Sequence, residues 1–132
     1  MPDQTERSRQ SVLIVEDEPL TRLALVYLLS QLGYATVPVA TIAEGLERLD
    51  GQQCAILDLN LPDGLGTHVL QRIRDAGRPI RVAVTTGTSD LELLDDCRRL
   101  RAELVLQKPI DVNALLRWLK TDLDIPTPAA TV

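Results

Sequence analysis

The chain has 132 residues, of which 45% are hydrophobic and 25% are charged. This length suits one domain, and this composition is close to the average for globular proteins, which argues against a disordered chain and against a membrane protein. With 14 basic and 19 acidic side chains, the formal net charge is −5, and no segregated basic patch offsets it. We therefore expect that this domain binds neither nucleic acid nor a membrane.

The cysteines indicate the compartment. Cys54 and Cys97 form no CxxC motif, and no secretory signal is visible at the start of the chain. Reduced, buried thiols are the expected state of such cysteines in a reducing environment. We therefore expect a protein of the cytoplasm.

The first quarter of the chain contains two short strands and a helix. Val12 to Val15 is a continuous apolar run, which is typical of a strand buried on both faces. A helix is predicted from Pro19 to Gly33, because apolar residues recur at three- and four-residue spacing. Those residues are Leu20, Leu23, Ala24, Tyr27 and Leu28. Ala35 to Val39 is a second strand, and Pro38 predicts an edge position because proline cannot donate to a ladder.

The middle of the chain repeats this alternation. Thr41 and Glu44 fit a capping box that opens a second helix. Its apolar face comprises Ile42, Leu46 and Leu49. Cys54 to Leu57 is a third strand, and the sequence Pro-Asp-Gly at residues 62–64 predicts a turn. A third helix follows the turn, with Leu65, Val69 and Ile73 in register.

The last third of the folded region adds two strands and two helices. Ile80 to Thr86 is a fourth strand rich in valine and threonine, and Ser89 can open a fourth helix. The apolar residues of that helix are Leu91, Leu94 and Leu100. Leu104 to Leu106 is a fifth strand, and Asp111 can cap a last helix. The apolar stripe of the last helix is Val112, Leu115, Leu116 and Leu119.

Five strands that alternate with five helices predict an α/β fold, a three-layer sandwich around a parallel sheet with right-handed crossovers. No apolar period precedes residue 11 or follows residue 121. We therefore predict a flexible N-terminal tail over 1–10, one domain over 11–121 and a flexible C-terminal tail over 122–132.

Polar residues follow four of the five strands. They are Glu16 and Asp17 after the first, Asp58 at the end of the third, Thr85 and Thr86 at the end of the fourth, and Lys108 after the fifth. The carboxyl ends of parallel strands meet at one rim, where sheets of this kind bind ligands. Converging carboxylates recruit a hard cation such as Mg²⁺. A metal beside Asp58 would screen an incoming phosphoryl group, while Lys108 and a threonine hydroxyl would contact its oxygens, so the set indicates phosphoryl transfer.

Three segments resemble the signature segments of response-regulator receiver domains, the family of the chemotaxis regulators in bacterial two-component signalling. They are Val-Leu-Ile-Val-Glu-Asp-Glu-Pro at 12–19, Leu-Asp-Leu-Asn-Leu-Pro-Asp-Gly at 57–64, and Lys108-Pro109. The resemblance implies a flavodoxin-like fold, with a five-stranded parallel sheet in the order 2-1-3-4-5. It also implies that Asp58 accepts a phosphoryl group from a histidine kinase or a histidine phosphotransfer protein.

The resemblance assigns a metal site. By it, Asp17 ligates Mg²⁺ directly, Glu16 reaches the metal through water, and Asp58 is a further ligand. The backbone carbonyl of Asn60 completes the ligands from the protein. Asn60 and Thr88 flank the path of a hydrolytic water, so we expect both to tune the lifetime of the phosphoryl group.

The resemblance also assigns a switch. The family's usual interval before the lysine lands on Thr86 rather than Thr85, and Gly87 beside it leaves room for the phosphoryl group. Lys108 pairs with that group, and the bond between Lys108 and Pro109 is expected to be cis, as proline permits.

One position departs from the family. The fifth strand often has an aromatic residue three positions before the lysine, and this chain has Val105. In the family that aromatic turns inward on activation, and valine is too small to report in that way. Output would then depend on displacement of helices and loops. The partner expected is a downstream protein on the face of the fourth helix, fifth strand and last helix, and whether the chain is a monomer or a homodimer stays open.

Two other functions stay open. A phosphorylation-independent interaction module would keep the fold and lose the switch, which Val105 allows. A phosphatase with an aspartyl-phosphate intermediate would need a second acid two residues after Asp58, and Asn60 stands there. We therefore expect no enzyme of external substrates, only catalysis of the chain's own phosphorylation and dephosphorylation.

Overall fold

A computed structural model of the chain describes residues 10–87, 89 and 91–124, with the last four by their backbone alone. The strands are β1 Ser11–Val15, β2 Ala35–Val39, β3 Cys54–Asp58, β4 Arg81–Thr86 and β5 Leu104–Gln107. The helices are α1 Pro19–Gln31, α2 Ile42–Leu46, α3 Thr67–Asp75, α4 Leu91–Arg99 and α5 Val112–Asp124. The predicted alternation of strands and helices is confirmed.

The five strands form one parallel sheet in the order β2-β1-β3-β4-β5, as predicted. β2 lies at an edge, and its exposed Pro38 agrees with the position predicted for it. The Ala35 N–H donates to the carbonyl of Gln10 at 2.9 Å, and the carbonyl of Val39 accepts from Glu16 N at 3.0 Å. Backbone groups alternate in direction along a strand, so Pro38 faces away from the sheet.

Apolar side chains on the two faces of the sheet build two separate cores. On one face, α1 and α5 bury Leu25, Leu29, Leu115 and Leu119 against the sheet. On the other face, α2, α3 and α4 bury Ile42, Val69, Leu70, Ile73 and Cys97. Each fully buried aliphatic side chain contributes about 1.5–3 kcal/mol, so the two cores hold the layers together. The predicted three-layer sandwich is confirmed.

The buried face of α1 differs from the prediction. The structure buries Leu25 and Leu29, whereas Leu20, Leu23 and Tyr27 are exposed. α1 is apolar on both sides and carries Arg22 as its only charged residue, so spacing alone could not identify the side that meets the sheet.

Three element boundaries also differ. α2 ends at Leu46, before the predicted residue Leu49, which is nevertheless buried. Gly45 weakens the helix near its end. A Cβ at Gly45 would lie 3.0 Å from the Val15 side chain, so α2 packs closely on β1. Leu65 belongs to a short antiparallel ladder, and α3 begins after it at Thr67. α5 runs to Asp124 and so includes the start of the predicted tail. Residues 1–9 and 125–132 lie outside the described part, and the domain boundaries stay a prediction.

Candidate functional site

Two buried carboxylates and one lysine meet at the carboxyl ends of β1, β3 and β5. Asp58 ends β3 and is 4% exposed, and Glu16 follows β1 and is 2% exposed. The Lys108 Nζ lies 3.1 Å from Asp58 Oδ2 and 3.3 Å from Glu16 Oε1. The structure therefore brings together three of the residues singled out in the sequence.

Glu16 is fixed in this position from several sides. The Glu18 N–H donates to Glu16 Oε2 at 3.0 Å, and Arg22 Nη1 donates to the Glu16 carbonyl at 2.8 Å. Burial raises the pKa of Glu16 above its ordinary value, although the hydrogen bond from Glu18 opposes this shift. Asp58 adds to the rise, because a second negative charge nearby disfavours ionisation.

Lys108 is the counter-charge of both carboxylates. Burial lowers its pKa, but the hydrogen bond to Asp58 and the negative charges of Asp58 and Glu16 outweigh that effect, and the net pKa of Lys108 is raised. The ammonium is therefore charged at neutral pH and serves as a fixed cationic contact beside Asp58.

The third carboxylate, that of Asp17, is exposed on the solvent side of the pair. One oxygen each from Glu16, Asp17 and Asp58 lie within 4.8 Å of one another, and within the described ranges no other group of three potential metal ligands is found. Hard carboxylate oxygens are ligands that Mg²⁺ prefers, and the exposed side leaves space for the waters that Mg²⁺ retains. The donor set therefore fits Mg²⁺.

Asn60 lies beside this cluster. Its N–H donates to Asp58 Oδ1 at 3.2 Å, and it is exposed in the first strand of the ladder that pairs Asn60–Leu61 with Gly64–Leu65. The backbone of Asn60 is thus held next to Asp58. Its role as a metal ligand stays a prediction.

Both threonines at the end of β4 are buried, on opposite faces of the sheet. Thr86 alternates with Val82 and Val84 and so lies on the side of α4. Val105 pairs with Val84 and packs on that same side. The position where the family often has an aromatic residue is thus on the same face as Thr86.

The strand ends beside Thr86 are tied together. The Lys108 N–H donates to the Thr86 carbonyl at 2.7 Å, and the bond between Lys108 and Pro109 is cis. A Cβ at Gly87 would meet nothing within 4 Å, so the rim is open at this point. Thr88 lies outside the described residues.

Two residues of the loop after Asp58 were not predicted to matter. A Cβ at Gly66 would lie 2.1 Å from the Asp58 carbonyl oxygen, so only glycine allows this approach to the end of β3. Asp63 was predicted only as part of a turn, but its Oδ1 accepts from Ile42 N at 2.9 Å and its Oδ2 from Ala43 N at 3.1 Å. Neither role has a local sequence signal. The Asp63 contact joins residues about 20 positions apart, and the need for glycine at residue 66 arises from packing against Asp58.

Two polar residues near the site lie outside its group of potential metal ligands. Glu18 is the N-cap of α1, where its side chain accepts from Thr21 N at 2.8 Å. His68 is exposed on α3 and belongs to no group of potential metal ligands in the described part of the chain.

An apolar groove runs from the site along α1. It has a volume of about 400 Å³, and its lining includes Leu20 and Ala24 of α1 together with Lys108, Pro109 and Val112. Lys108 is therefore shared between the polar site and the groove.

The model of the response regulator receiver domain family matches residues 12–120. The chain belongs to this family. Receivers of this family are signalling modules of two-component systems that interact with histidine kinases and downstream effectors. In the described part of the chain, every helix is too short or too polar to span a bilayer.

Relatives and solved structures agree with this assignment. Response regulator protein PilR of Pseudomonas aeruginosa is 30% identical over 93% of this chain, and the Regulator of RpoS of Escherichia coli is 36% identical over 80%. The chain spans only 28% and 32% of the length of these two curated relatives. The crystal structure of a CheY-like receiver domain protein from Methanospirillum hungatei superposes with a TM-score of 0.82 at 29% identity, covering 89% of this chain and 95% of that one.

Proposed function

We propose that Asp58 accepts a phosphoryl group from the phosphohistidine of a histidine kinase or a histidine phosphotransfer protein, in a Mg²⁺-dependent reaction. The observation that carries the proposal is the contact of Lys108 with both Asp58 and Glu16, beside the exposed Asp17. A buried pair of carboxylates with one lysine and an open side is suited to bind a cation and then a phosphoryl group.

The chemistry requires a nucleophile and a way to neutralise charge. A carboxylate oxygen of Asp58 forms the new bond to phosphorus while the P–N bond of the donor breaks, and the imidazole nitrogen leaves with the bonding electron pair. Mg²⁺ held by the carboxylates would supply positive charge against the repulsion between them and the phosphoryl oxygens. Lys108 already contacts Asp58 and needs no large movement to pair with the phosphoryl group.

The output of this step is proposed to be a conformational change. Thr86, the residue expected to contact the phosphoryl group, lies on the α4 side of the sheet together with Val105. Because Val105 is small, we propose that displacement of α4 and its loops transmits the change to the face formed by α4, β5 and α5. That face is the proposed contact of the downstream protein.

The donor would dock on α1. Leu20, Leu23 and Tyr27 are exposed on this helix, and the groove beside it ends at Lys108. A donor that reaches Asp58 must pass over this rim, and exposed apolar side chains next to a polar site are typical of a protein contact.

Intact mass after incubation with acetyl phosphate tests the acceptor. A single phosphoryl adduct is expected that requires Mg²⁺, disappears with a chelator and is absent from Asp58→Asn. Asp95→Asn, which changes an exposed aspartate of α4, is the matched control and should be labelled like the native chain. A folded native chain that takes no adduct at any Mg²⁺ concentration would favour the phosphorylation-independent interaction module.

Two exposed leucines test the docking surface. Leu23 on α1 is 63% exposed and Leu91 on α4 is 75% exposed. Leu23→Glu should slow labelling by a purified, autophosphorylated histidine kinase that labels the native chain, and it should leave labelling by acetyl phosphate unchanged. Leu91→Glu should alter neither rate. Equal slowing by both variants would contradict docking on α1.

A further inference from the structure

The loop after Asp58 is anchored to α2, a helix that packs against β1. Asp63 lies at the tip of the ladder formed by Asn60–Leu61 and Gly64–Leu65, which we call the site hairpin. Asp63 is exposed, yet both of its carboxylate oxygens accept backbone N–H groups at the start of α2, from Ile42 at 2.9 Å and from Ala43 at 3.1 Å. An exposed carboxylate thus holds two segments together that are distant in the chain.

Helix capping alone does not account for this arrangement. α2 has its own cap, since Thr41 Oγ1 accepts from Glu44 N at 3.1 Å. Asp63 satisfies the two N–H groups before that one, so the first turn of α2 is fully bonded only when the site hairpin is docked on it. The helix and the hairpin therefore fix each other.

Besides Asp63, the site hairpin is held by Leu61, whose side chain is buried in the core, and by a few backbone contacts. A two-residue antiparallel ladder is not stable by itself. At its base, Asn60 N donates to Asp58 Oδ1 and Gly66 N donates to the Leu59 carbonyl at 2.8 Å. At its tip, Asp63 provides the polar contacts, and Gly64 packs so closely that a Cβ there would lie 3.1 Å from Ile42 Cδ1.

We infer that Asp63 is a positioning residue of the Mg²⁺ site, which holds the backbone of Asn60 in place by pinning the site hairpin to α2. The inference rests on the proposed Mg²⁺-dependent function and on the expectation that the Asn60 carbonyl is a metal ligand. Without the two hydrogen bonds of Asp63, the hairpin samples more conformations, and part of the free energy of Mg²⁺ binding is spent on ordering it. The affinity for Mg²⁺ then falls, while the reaction of the metal-loaded site is unchanged.

The test is a calorimetric titration of the full chain with Mg²⁺. Asp63→Ala is expected to raise the dissociation constant about fivefold, less than the 10–100-fold typical of residues that orient metal ligands, because a single backbone ligand is affected. Asp63→Asn keeps one acceptor oxygen and should lose less. Thr41→Ala is the matched control, because it removes a cap of the same helix without touching the hairpin, and it should stay within about twofold.

Two further measurements separate positioning from general stability. With acetyl phosphate, Asp63→Ala should need more Mg²⁺ for half-maximal labelling and reach the native rate at saturating Mg²⁺. Hydrogen exchange of the amides of residues 60–65 should be faster in Asp63→Ala than in the native chain without Mg²⁺.

A folded Asp63→Ala chain that binds Mg²⁺ as tightly as the native chain would overturn the inference. Equal weakening by Thr41→Ala would overturn it as well, because the effect would then come from α2 alone. If Asp63→Ala fails to fold by circular dichroism, Asp63→Asn decides by the same criteria. A native chain that binds Mg²⁺ but accepts no phosphoryl group would refute the proposed function, and the calorimetric comparison would still decide on Asp63.

Discussion

The sheet has a largely buried cation at each end of its strands, Lys108 at the carboxyl rim and Arg74 at the amino rim, and the groups that neutralise the two charges differ. At the carboxyl ends of the strands, Lys108 contacts Asp58 and Glu16. At the amino ends, Arg74 of α3 donates Nε to the Leu100 carbonyl at 2.8 Å and Nη1 to the Ile80 carbonyl at 3.2 Å. Its Nη2 reaches the Arg101 carbonyl and, at 3.1 Å, Glu103.

The difference lies in the balance of charge. Arg74 meets neutral carbonyls and one carboxylate, so its charge and its donors are both satisfied by the protein. At the carboxyl rim three carboxylates lie together, and Lys108, which contacts two of them, supplies a single positive charge. At the amino rim the charge of Arg74 is therefore balanced within the protein, whereas the carboxyl rim has an excess of negative charge that a cation can neutralise.

The largest expected loss of stability comes from removing the cation at the amino rim. Arg74→Ala should lower the free energy of unfolding by about 3 kcal/mol, because several carbonyls lose a charged donor at once. Urea denaturation measures the loss, and calorimetry should find the Mg²⁺ affinity nearly unchanged. Arg98→Ala is the control: its pair with Asp95 on α4 is exposed, and its loss should be below about 0.5 kcal/mol. Similar losses for both variants would contradict the comparison.

The next largest expected loss of stability comes from disturbing the backbone next to Asp58 at the carboxyl rim. Gly66→Ala should cost about 2 kcal/mol, because the new methyl group overlaps the Asp58 carbonyl. It should also slow labelling by acetyl phosphate, since relief of the overlap displaces Asp58. Gly87→Ala adds its methyl group to open space and should change the free energy of unfolding little. A Gly66→Ala chain with native stability would disprove the close approach.

A smaller effect sharpens the contrast in charge. Mg²⁺ at ten times its dissociation constant should stabilise the native chain by about 1.4 kcal/mol. Denaturation with and without Mg²⁺ measures this gain. Asp58→Asn should lose most of it, whereas Arg74→Ala should keep it although its starting stability is lower. Loss of the gain in Arg74→Ala would mean that the two rims are coupled.

The smallest effect concerns pH in the absence of Mg²⁺. The folded state raises the pKa of Glu16 by burial, so the folded chain holds this proton more tightly than the unfolded chain. The resulting stabilisation is present below the ordinary value of 4.5 and is lost as pH rises through the raised pKa. Glu16→Gln removes the pH-dependent contribution, so its stability relative to the native chain should increase from pH 4.5 to 7. A constant difference across this range would contradict the raised pKa.

The sequence was sufficient for the elements and their order because the strands are short apolar runs that helices separate. It was also sufficient to predict that Glu16, Asp58 and Lys108 lie together, since the carboxyl ends of parallel strands meet at one edge of the sheet. The buried face of α1 could not be predicted, because Leu23 and Leu25 are equally apolar and only tertiary packing selects between them. The turn at 62–64 was predicted, but the contact of Asp63 with the start of α2 was not, because no local pattern encodes a contact between segments so distant in the chain.

The edge strand β2 has a consequence for crowded solutions of this protein. Its outward-facing backbone groups belong to Thr36 and Pro38, and proline has no N–H, so the edge offers one donor where an ordinary strand would offer two. A strand from another molecule could not complete a ladder there. Pro38 therefore disfavours sideways growth of the parallel sheet at this edge when many copies of the chain are present together.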